Sequence, residues 1–394
     1  MRKVRLLAVA ACGLCLLGAA DASAATLAVD DDGMATPSNC DAPTPTYPKI
    51  QAAVTAAAPG DTIVVCPGHY PEQVAIQGPA KNDLTLVSVV RHQAFIEPPP
   101  VMVPGDDASH ALVRIEDARG VRLLRFTITG PHPQLDKGVV VRKNASAAII
   151  DNHVTHIRFE PLSGVQTGVA IQVGSFTGGS TPGRAVIAYN RVDDYQKNGI
   201  TVNEQGSNGE VIGNYVQGAG PIPETAQNGI QFGFGAVGRA SGNVVLDNAY
   251  SLAFRGLFSA AGILLYQPGD GVVVDHNFVQ RNDTNLDAET TQRAKVSENR
   301  FFDSTIYDGI FFASDTAKNR IEDNVALRNK EHDCHDDSTG HGTAGTANFW
   351  EDNTGQTQNR PGLCRAHKER QGESSVSSKR ARKLHAHKAR AERK

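Results

Sequence analysis

One six-residue phrase recurs seven times in this chain, and it constrains the fold more than any other feature of the sequence. The phrase reads apolar, x, x, Asn, x, apolar, and its asparagines are separated by 38, 24, 29, 34, 22 and 25 residues. A period in the twenties, lengthened by insertions, is typical of a solenoid. The repeated asparagines are Asn152, Asn190, Asn214, Asn243, Asn277, Asn299 and Asn324.

The apolar residues of the phrase indicate two short strands with a bend between them. They stand three residues before and two residues after each asparagine, so the alternation expected of a strand is broken at the asparagine. Asn tolerates left-handed backbone angles and can hydrogen-bond within its own turn. Its amide can also donate to and accept from the same residue one coil away. We therefore predict a bend at each asparagine and a ladder of stacked amides along the solenoid.

A second phrase, in which Gly precedes an apolar residue, predicts a third strand in each coil. Its copies are Lys137-Gly138-Val139, Thr167-Gly168-Val169, Asn198-Gly199-Ile200, Asn228-Gly229-Ile230, Ala261-Gly262-Ile263 and Asp308-Gly309-Ile310. The residues between these segments are mostly Gly, Asn, Asp and Ser, which suit turns. Three short strands in each coil, with coils about 4.8 Å apart, describe an all-β parallel β-helix.

The first coil then resembles a known family. Residues 48–88 contain Ile50-Gln51-Ala52-Ala53-Val54 and Cys66-Pro67-Gly68-His69-Tyr70. Both segments are similar to the opening coil of secreted bacterial members of the right-handed parallel β-helix superfamily typified by pectate lyases. The resemblance covers nearly all of residues 45–365, and it implies one right-handed solenoid of about ten coils. Polysaccharide lyases, glycosidases, uronate epimerases and adhesins share this fold, so the resemblance implies a polysaccharide or cell-wall polymer as partner without fixing an activity.

The N-terminal residues predict export. Residues 1–24 have the basic start, the short apolar run and the Ala22-Ser23-Ala24 cleavage site of a secretory signal. A lipoprotein signal is the alternative, because Cys12 follows Val9-Ala10-Ala11. No other stretch is long and apolar enough to span a bilayer. We expect a secreted, extracellular monomer whose β-helix domain covers residues 25–365.

Residues 366–394 differ in composition from the solenoid. The last sixteen residues carry a net charge of +7, which leaves −12 on residues 25–378. With few apolar residues to bury, this C-terminal tail is predicted to be disordered. The tail either binds an anionic polymer, such as an acidic glycan, or is solvated without a partner.

Four cysteines remain once the signal is removed, an even number for an oxidising compartment. Proximity in the sequence favours the pairs Cys40–Cys66 and Cys334–Cys364 over the two other pairings. Each disulfide would staple one end of the solenoid, where a coil has a neighbour on only one side.

The spacing of acidic residues predicts a site in the last coils. Asp308 and Asp333 are 25 residues apart, as are Asn299 and Asn324. We therefore predict that the two carboxylates stack about 5 Å apart on neighbouring strands. In such a pair one carboxyl stays protonated while the other is ionised, which is the division of roles in a glycosidase.

The segment His332-Asp333-Cys334-His335-Asp336-Asp337 is the densest group of ionisable residues in the solenoid. Its part Asp333-x-His335-Asp336 resembles the Asp-Pro-His-acid motif of alginate epimerases and related lyases, which implies acid and base roles for Asp333 and His335. Cys334 replaces the Pro of that motif, and Lys330 stands where the family has Tyr, so Tyr307 would have to substitute. The predicted catalytic residues are Asp308, Asp333, His335 and Asp336.

The same segment has two other interpretations. It is a capping loop that satisfies the open strand edges together with Trp350, and this ending resembles that of secreted actinobacterial β-helix proteins. Alternatively, Asp333, Asp336 and Asp337 supply hard oxygen ligands to calcium. Two functions remain open. One is a carbohydrate-active protein with lyase, hydrolase or epimerase chemistry, and the other is a non-catalytic binding or structural solenoid anchored by its basic tail.

Overall fold

Three parallel sheets wind into one solenoid in the computed structural model, which describes residues 24–175, 180–251 and 259–366. Each strand pairs in parallel with the strand of the same sheet one coil away. Crossovers between parallel strands are right-handed, and this handedness gives a right-handed β-helix. The predicted signal up to residue 23 and the tail from residue 367 lie outside the described residues. Within the described ranges, no helix is long and apolar enough to cross a membrane.

The strands of each sheet follow one another along the solenoid axis. The first sheet contains Thr26–Val29, Thr62–Val65, Thr85–Ser88, Val121–Leu124, Ser146–Ile150, Arg184–Ala188, Asn208–Ile212, Val237–Ser241, Val273–Asp275, Lys295–Ser297, Arg320–Glu322 and Phe349–Glu351. The second contains Gly68–Pro71, Ala94–Glu97, Thr127–Thr129, His153–Thr155, Arg191–Asp193, Tyr215–Ile222, Val244–Tyr250, Phe278–Gln280, Arg300–Phe302 and Val325–Leu327. The third contains Val74–Gln77, Ala111–Glu116, Lys137–Arg142, Val169–Val173, Asn198–Asn203, Asn228–Gly233, Ala261–Tyr266, Thr284–Glu289, Ile310–Phe312 and Cys334–Asp336. Short helices cover Ile50–Ala56, Pro79–Lys81 and Thr343–Gly345.

The apolar positions of the asparagine phrase fill the interior, as predicted. Ile149 and Ile187 stand in register in the first sheet, and Val154 and Val192 stand in register in the second. All four side chains are fully buried. Both columns continue through the later copies of the phrase, and ten strands in each of two sheets confirm the expected number of coils.

The asparagines form the predicted ladder between the first and second sheets. The main-chain N–H and the side-chain Nδ2 of Asn214 both donate to Oδ1 of Asn243, at 2.9 and 3.0 Å. Nδ2 of Asn214 also donates to the main-chain oxygen of Ile187, at 2.8 Å. The pattern runs from Asn152 onward, and an additional residue, Asn353, accepts from the last asparagine of the phrase. A buried column of amides is therefore fully hydrogen-bonded, as burial of polar groups requires.

The left-handed residue at each bend is the one before the asparagine. The φ angles of Asp151, Tyr189 and His276 are 57°, 57° and 59°. Gly213 and Gly242 take the same place in two other coils, with φ of 62° and 66°. The bend predicted at each asparagine therefore has its left-handed backbone angle one residue earlier. The asparagine side chain instead makes hydrogen bonds inside the solenoid.

The glycine phrase aligns in the third sheet with one exception. Lys137 pairs with Val169, and Val169 pairs with Asn198. Thr167 was expected at the position that Val169 occupies. The prediction for the copy Thr167-Gly168-Val169 was therefore wrong by two residues, although the other copies fall where they were expected.

The N-terminal end of the solenoid is closed by a helix and a disulfide. Helix Ile50–Ala56 buries its apolar face on the first coil. The carboxylate of Glu72 accepts from the first two main-chain N–H groups of this helix, at 2.8 and 2.9 Å. The predicted disulfide Cys40–Cys66 joins the leading segment to the first coil.

The C-terminal end is closed by the predicted disulfide Cys334–Cys364 and by an aromatic lid. The ring of Trp350 meets the ring of Phe312 edge to face, with centroids 5.8 Å apart. Trp350 is 5% exposed, so it extends the apolar interior past the last strand of the third sheet. Both disulfide predictions are confirmed.

We expect Asn243→Ala to lower the free energy of unfolding by about 2–4 kcal/mol, because it leaves the two donors of Asn214 without an acceptor in a dry interior. Chemical denaturation measures this change. The control is Asn39→Ala at an exposed position, which should shift the midpoint little. Equal stability of the two variants would show that the ladder does not hold the coils together.

Candidate functional site

A groove of about 970 Å³ lies over the last coils of the third sheet. Its floor includes a column of residues that pair directly between neighbouring strands, about 4.8 Å apart along the axis. The column consists of Gln231, Leu264, Asp287, Phe311 and His335. Aromatic residues add flat apolar surfaces to the lining, and these are Phe234, Tyr250, Tyr266 and Tyr307.

Asp308 lies at the C-terminal end of the groove, where two imidazoles and a main-chain N–H surround its carboxylate. Oδ1 accepts from the main-chain N–H of His332 at 3.0 Å and lies 3.1 Å from Nδ1 of the same residue. Oδ2 lies 2.9 Å from Nδ1 of His335. The Asp308 side chain is 4% exposed, so these contacts fix its position.

His335 is held from both sides of its ring. Its Nε2 lies 2.9 Å from Oδ1 of Asp337. Burial lowers the pKa of His335, but hydrogen bonds to Asp308 and Asp337 and the charges of both carboxylates outweigh burial and raise that pKa to about 9. At neutral pH the ring is therefore a cation between two anions.

Asp287 is the most perturbed acid of the groove. Burial, followed by the negative charges of Glu289 and Asp308, raises the pKa of Asp287 to about 7. The residue is 7% exposed, and its buried Oδ1 has no hydrogen-bond partner. A carboxyl in this environment keeps its proton near neutral pH and can donate it.

The charge balance of the groove is acidic. Glu224, Glu289 and Glu331 line it together with the two aspartates. Burial, followed by the charge of Asp315, raises the pKa of Glu289. Lys197 is the one Lys or Arg among the described residues that line the groove, and burial lowers its pKa to about 8. A ligand that enters this groove meets more negative than positive charge.

The predicted stacking of Asp308 on Asp333 is wrong by one residue. Gly309 donates its main-chain N–H to His332, and Ile310 pairs with Cys334. The neighbour of Asp308 along the axis is consequently His332. The turn before Cys334 is one residue shorter than the corresponding turn before Ile310, so the 25-residue spacing of the ladder does not carry over to this sheet.

Asp333 and Asp336 are buried outside the groove lining, where each accepts four hydrogen bonds. The donors to Asp333 are Asn329 N, Asn329 Nδ2, Gln356 N and Thr357 N. The donors to Asp336 are Ser338 N, Ser338 Oγ, Asn348 Nδ2 and Trp350 Nε1. Both carboxylates thus tie the cap to the last coil, which favours the capping interpretation of this segment.

The same contacts disfavour the predicted calcium site at Asp333, Asp336 and Asp337. The two buried carboxylates are surrounded by N–H and O–H donors, which repel a cation, and Asp337 is turned toward His335. Among the described residues, the groups able to hold a metal ion are Asp308 with His332 and His335, and Asp30 with Cys40 and Cys66. The second group contains a disulfide. The catalytic and calcium roles of Asp333 and Asp336 stay predictions without geometric support.

Of the predicted catalytic residues, Asp308 and His335 line the groove. Three ionisable residues that were not predicted, Asp287, Glu289 and Lys197, line it as well. The glycine phrase skips the coil of Asp287, because that coil reads Thr284-Asn285-Leu286. The usable signal is the charged pair Asp287 and Glu289 at alternate positions of one strand. Such alternation places both on the same face of a sheet.

No protein-family model and no curated protein sequence matches this chain. Several solved structures do align with this chain. A GH136 lacto-N-biosidase from Eubacterium ramulus aligns with a TM-score of 0.55 and 11% identity over 87% of this chain and 66% of that chain. The mannuronan C-5 epimerase AlgE6 A-module of Azotobacter vinelandii aligns with a TM-score of 0.47 and 14% identity over 81% of this chain and 91% of that chain. The chain spans about two thirds of the length of the biosidase.

The three parallel sheets and the alignment with the biosidase define the class: this is a right-handed parallel β-helix protein. The fold is therefore the one that the resemblance to pectate lyases predicted.

We expect Asp333→Ala to act on stability. Loss of an acceptor for four donors should lower the free energy of unfolding by about 2–4 kcal/mol. Thermal unfolding measures the change, with Glu351→Ala, an exposed carboxylate of the same cap, as the control. A fully stable Asp333→Ala protein would contradict the capping role.

Asp287 should make stability depend on pH. Its folded pKa of about 7 lies above the ordinary aspartate value, so the folded state holds a proton that the unfolded state releases. The protein therefore loses stability as pH rises from about 4 to about 7, by roughly 2–4 kcal/mol in total. Asp287→Asn should flatten this part of the curve, whereas Asp41→Asn, at an exposed position, should leave it unchanged. Parallel curves for wild type and Asp287→Asn would contradict the raised pKa.

Proposed function

We propose that the groove binds an uncharged glycan chain and hydrolyses a glycosidic bond in it. The observation that carries this proposal is the contrast between two carboxyls of the groove. Asp287 is buried without a hydrogen-bond partner for Oδ1, whereas Asp308 is held by two imidazoles and a main-chain N–H. Environments that separate the protonation states of two carboxyls assign the acid and the base of a hydrolase.

The roles follow from those environments. Asp287 gives its proton to the glycosidic oxygen as the bond from that oxygen to the anomeric carbon breaks. Asp308, held in position by its donors, accepts a proton from the water that forms the new bond to the anomeric carbon. The contacts of His335 with Asp308 and Asp337 keep the carboxylate of Asp308 oriented toward that water.

The charge of the groove favours hydrolysis of a neutral chain over lyase or epimerase chemistry. Both of those reactions remove a proton beside a sugar carboxylate and need cations to neutralise it. Lys197 is the one Lys or Arg among the described residues of the lining, and its Nζ donates to the main-chain oxygen of Ala226 at 2.6 Å. The ring of His335 is paired with Asp308 and Asp337. Acidic residues of the lining repel a uronate, while the aromatic faces can pack against sugar rings without regard to charge.

The scaffold is compatible with this chemistry, since a solved structure with the same fold is named a lacto-N-biosidase. The two disulfides, with the signal predicted for residues 1–24, support function outside the cell. The competing proposal is a non-catalytic module that binds an anionic polymer through residues 366–394.

The test is a panel of neutral glycans and uronans, with and without added calcium, assayed for new reducing ends, unsaturated ends and C5 inversion. We expect reducing ends from a neutral glycan and a rate that falls above pH of about 7, as Asp287 loses its proton. Asp287→Asn and Asp308→Asn should each lower kcat by about 10²–10⁴-fold.

Asp247→Asn is the matched control, because this aspartate pairs with Arg281 at a strand of the second sheet. It should keep full activity. Unsaturated ends released from a uronan would contradict hydrolysis and show that the protein is a lyase. Silence across the panel, with polymer binding that is lost when residues 366–394 are deleted, would instead support the anchored, non-catalytic module.

A further inference from the structure

The C-terminal end of the groove has the ligand set of a transition-metal site. Nδ1 of His332 lies 3.1 Å from Oδ1 of Asp308, and Nδ1 of His335 lies 2.9 Å from Oδ2 of the same carboxylate. One ligand atom from each of these three residues lies within 4.8 Å of the other two. Ligands on a tetrahedral zinc ion, with bonds of about 2.0 Å, are separated by about 3.3 Å. The observed spacing therefore needs little rearrangement to enclose an ion.

We propose that Asp308, His332 and His335 bind a divalent transition-metal ion of the zinc type. Two imidazoles and one carboxylate suit zinc, nickel or cobalt, whereas calcium prefers six to eight oxygen ligands. Three protein ligands leave the fourth coordination position of a tetrahedral ion to water. Catalytic zinc sites have this arrangement. His335 also lines the groove, so this open position faces the space where a glycan would lie.

The surroundings of His335 support the proposal independently of the three ligands. A metal-bound imidazole usually donates its second ring N–H to a carboxylate, which fixes the ring and its tautomer. Nε2 of His335 lies 2.9 Å from Oδ1 of Asp337, on the side of the ring away from Nδ1. Asp337 is thus a positioning residue, and Nδ1 of His335 binds the ion in exchange for the proton that it shares with Asp308.

The proposal goes beyond glycan hydrolysis, because the metal site stands on its own contacts whether or not the groove cleaves a sugar. If both hold, a bound ion would activate the attacking water in place of Asp308, whose carboxylate would be a ligand of the ion, and Asp287 would remain the acid. Direct measurement of metal binding separates the two proposals, since it requires no substrate.

The experiment is calorimetric titration of the full, disulfide-bonded protein with Zn²⁺ after treatment with a chelator, with Ca²⁺ and Mg²⁺ as comparison ions. We expect one tight Zn²⁺ site, weak binding of Ca²⁺ and Mg²⁺, and a rise in Tm on addition of Zn²⁺. Co²⁺ bound at the same site should show the visible absorption of a tetrahedral complex.

Two variants locate the site. His332→Gln removes a ligand and should weaken Zn²⁺ binding more than 100-fold, and Asp337→Asn should weaken it about 10- to 100-fold through the orientation of His335. Asp337 is exposed, so its variant keeps the test valid if His332→Gln fails to fold. The control is His276→Gln, because His276 also lies between two carboxylates, those of Asp275 and Glu298.

The control should bind Zn²⁺ as wild type does. Absence of a tight site in the wild-type protein would overturn the proposal. So would unchanged affinity in both His332→Gln and Asp337→Asn, or binding of Ca²⁺ as tight as that of Zn²⁺.

Discussion

The amide ladder is the interaction on which the rest of the structure depends. A coil of three short strands cannot bury its apolar residues alone, so each coil needs its neighbour in one fixed register. Buried asparagines supply that register, because each amide bonds both to the next asparagine and to the main chain of the coil before it, as Asn214 does. A coil displaced by one residue would leave several buried donors without acceptors, and each such loss costs about 1–3 kcal/mol.

The fixed register allows the loops to vary without disturbing the sheets. Spacings between successive asparagines range from 22 to 38 residues, yet the first and second sheets keep their columns aligned. The extra residues collect outside the sheets, where Glu224 helps to line the groove. Along its floor, the ladder places residues from distant parts of the sequence on neighbouring strands, and in this way Asp287 comes near Asp308 and His335.

Much of the fold was predictable from the sequence, because the asparagine phrase reports directly on buried positions. The interior columns, the number of coils and both disulfides follow from periodicity and from the position of the cysteines. The candidate site was less predictable. Asp308 and His335 were found, but Asp287 was missed because Asn285 interrupts the glycine phrase in its coil. Asp333 was misplaced because a turn one residue shorter shifts the last strand, and no repeat reports on the length of a single turn.

The ladder also has a direction. Every asparagine from Asn152 to Asn324 donates its main-chain N–H to the amide oxygen of the coil that follows it in the sequence. During synthesis from the N-terminus, the newest complete coil therefore always carries a donor whose acceptor has not yet been made. Each new coil supplies the missing acceptor and adds a new unpaired donor. The series ends at Asn353, within the loop closed by Cys334–Cys364. A chain that ends before the cap therefore carries an unsatisfied buried donor on its last coil, whatever the number of complete coils before it.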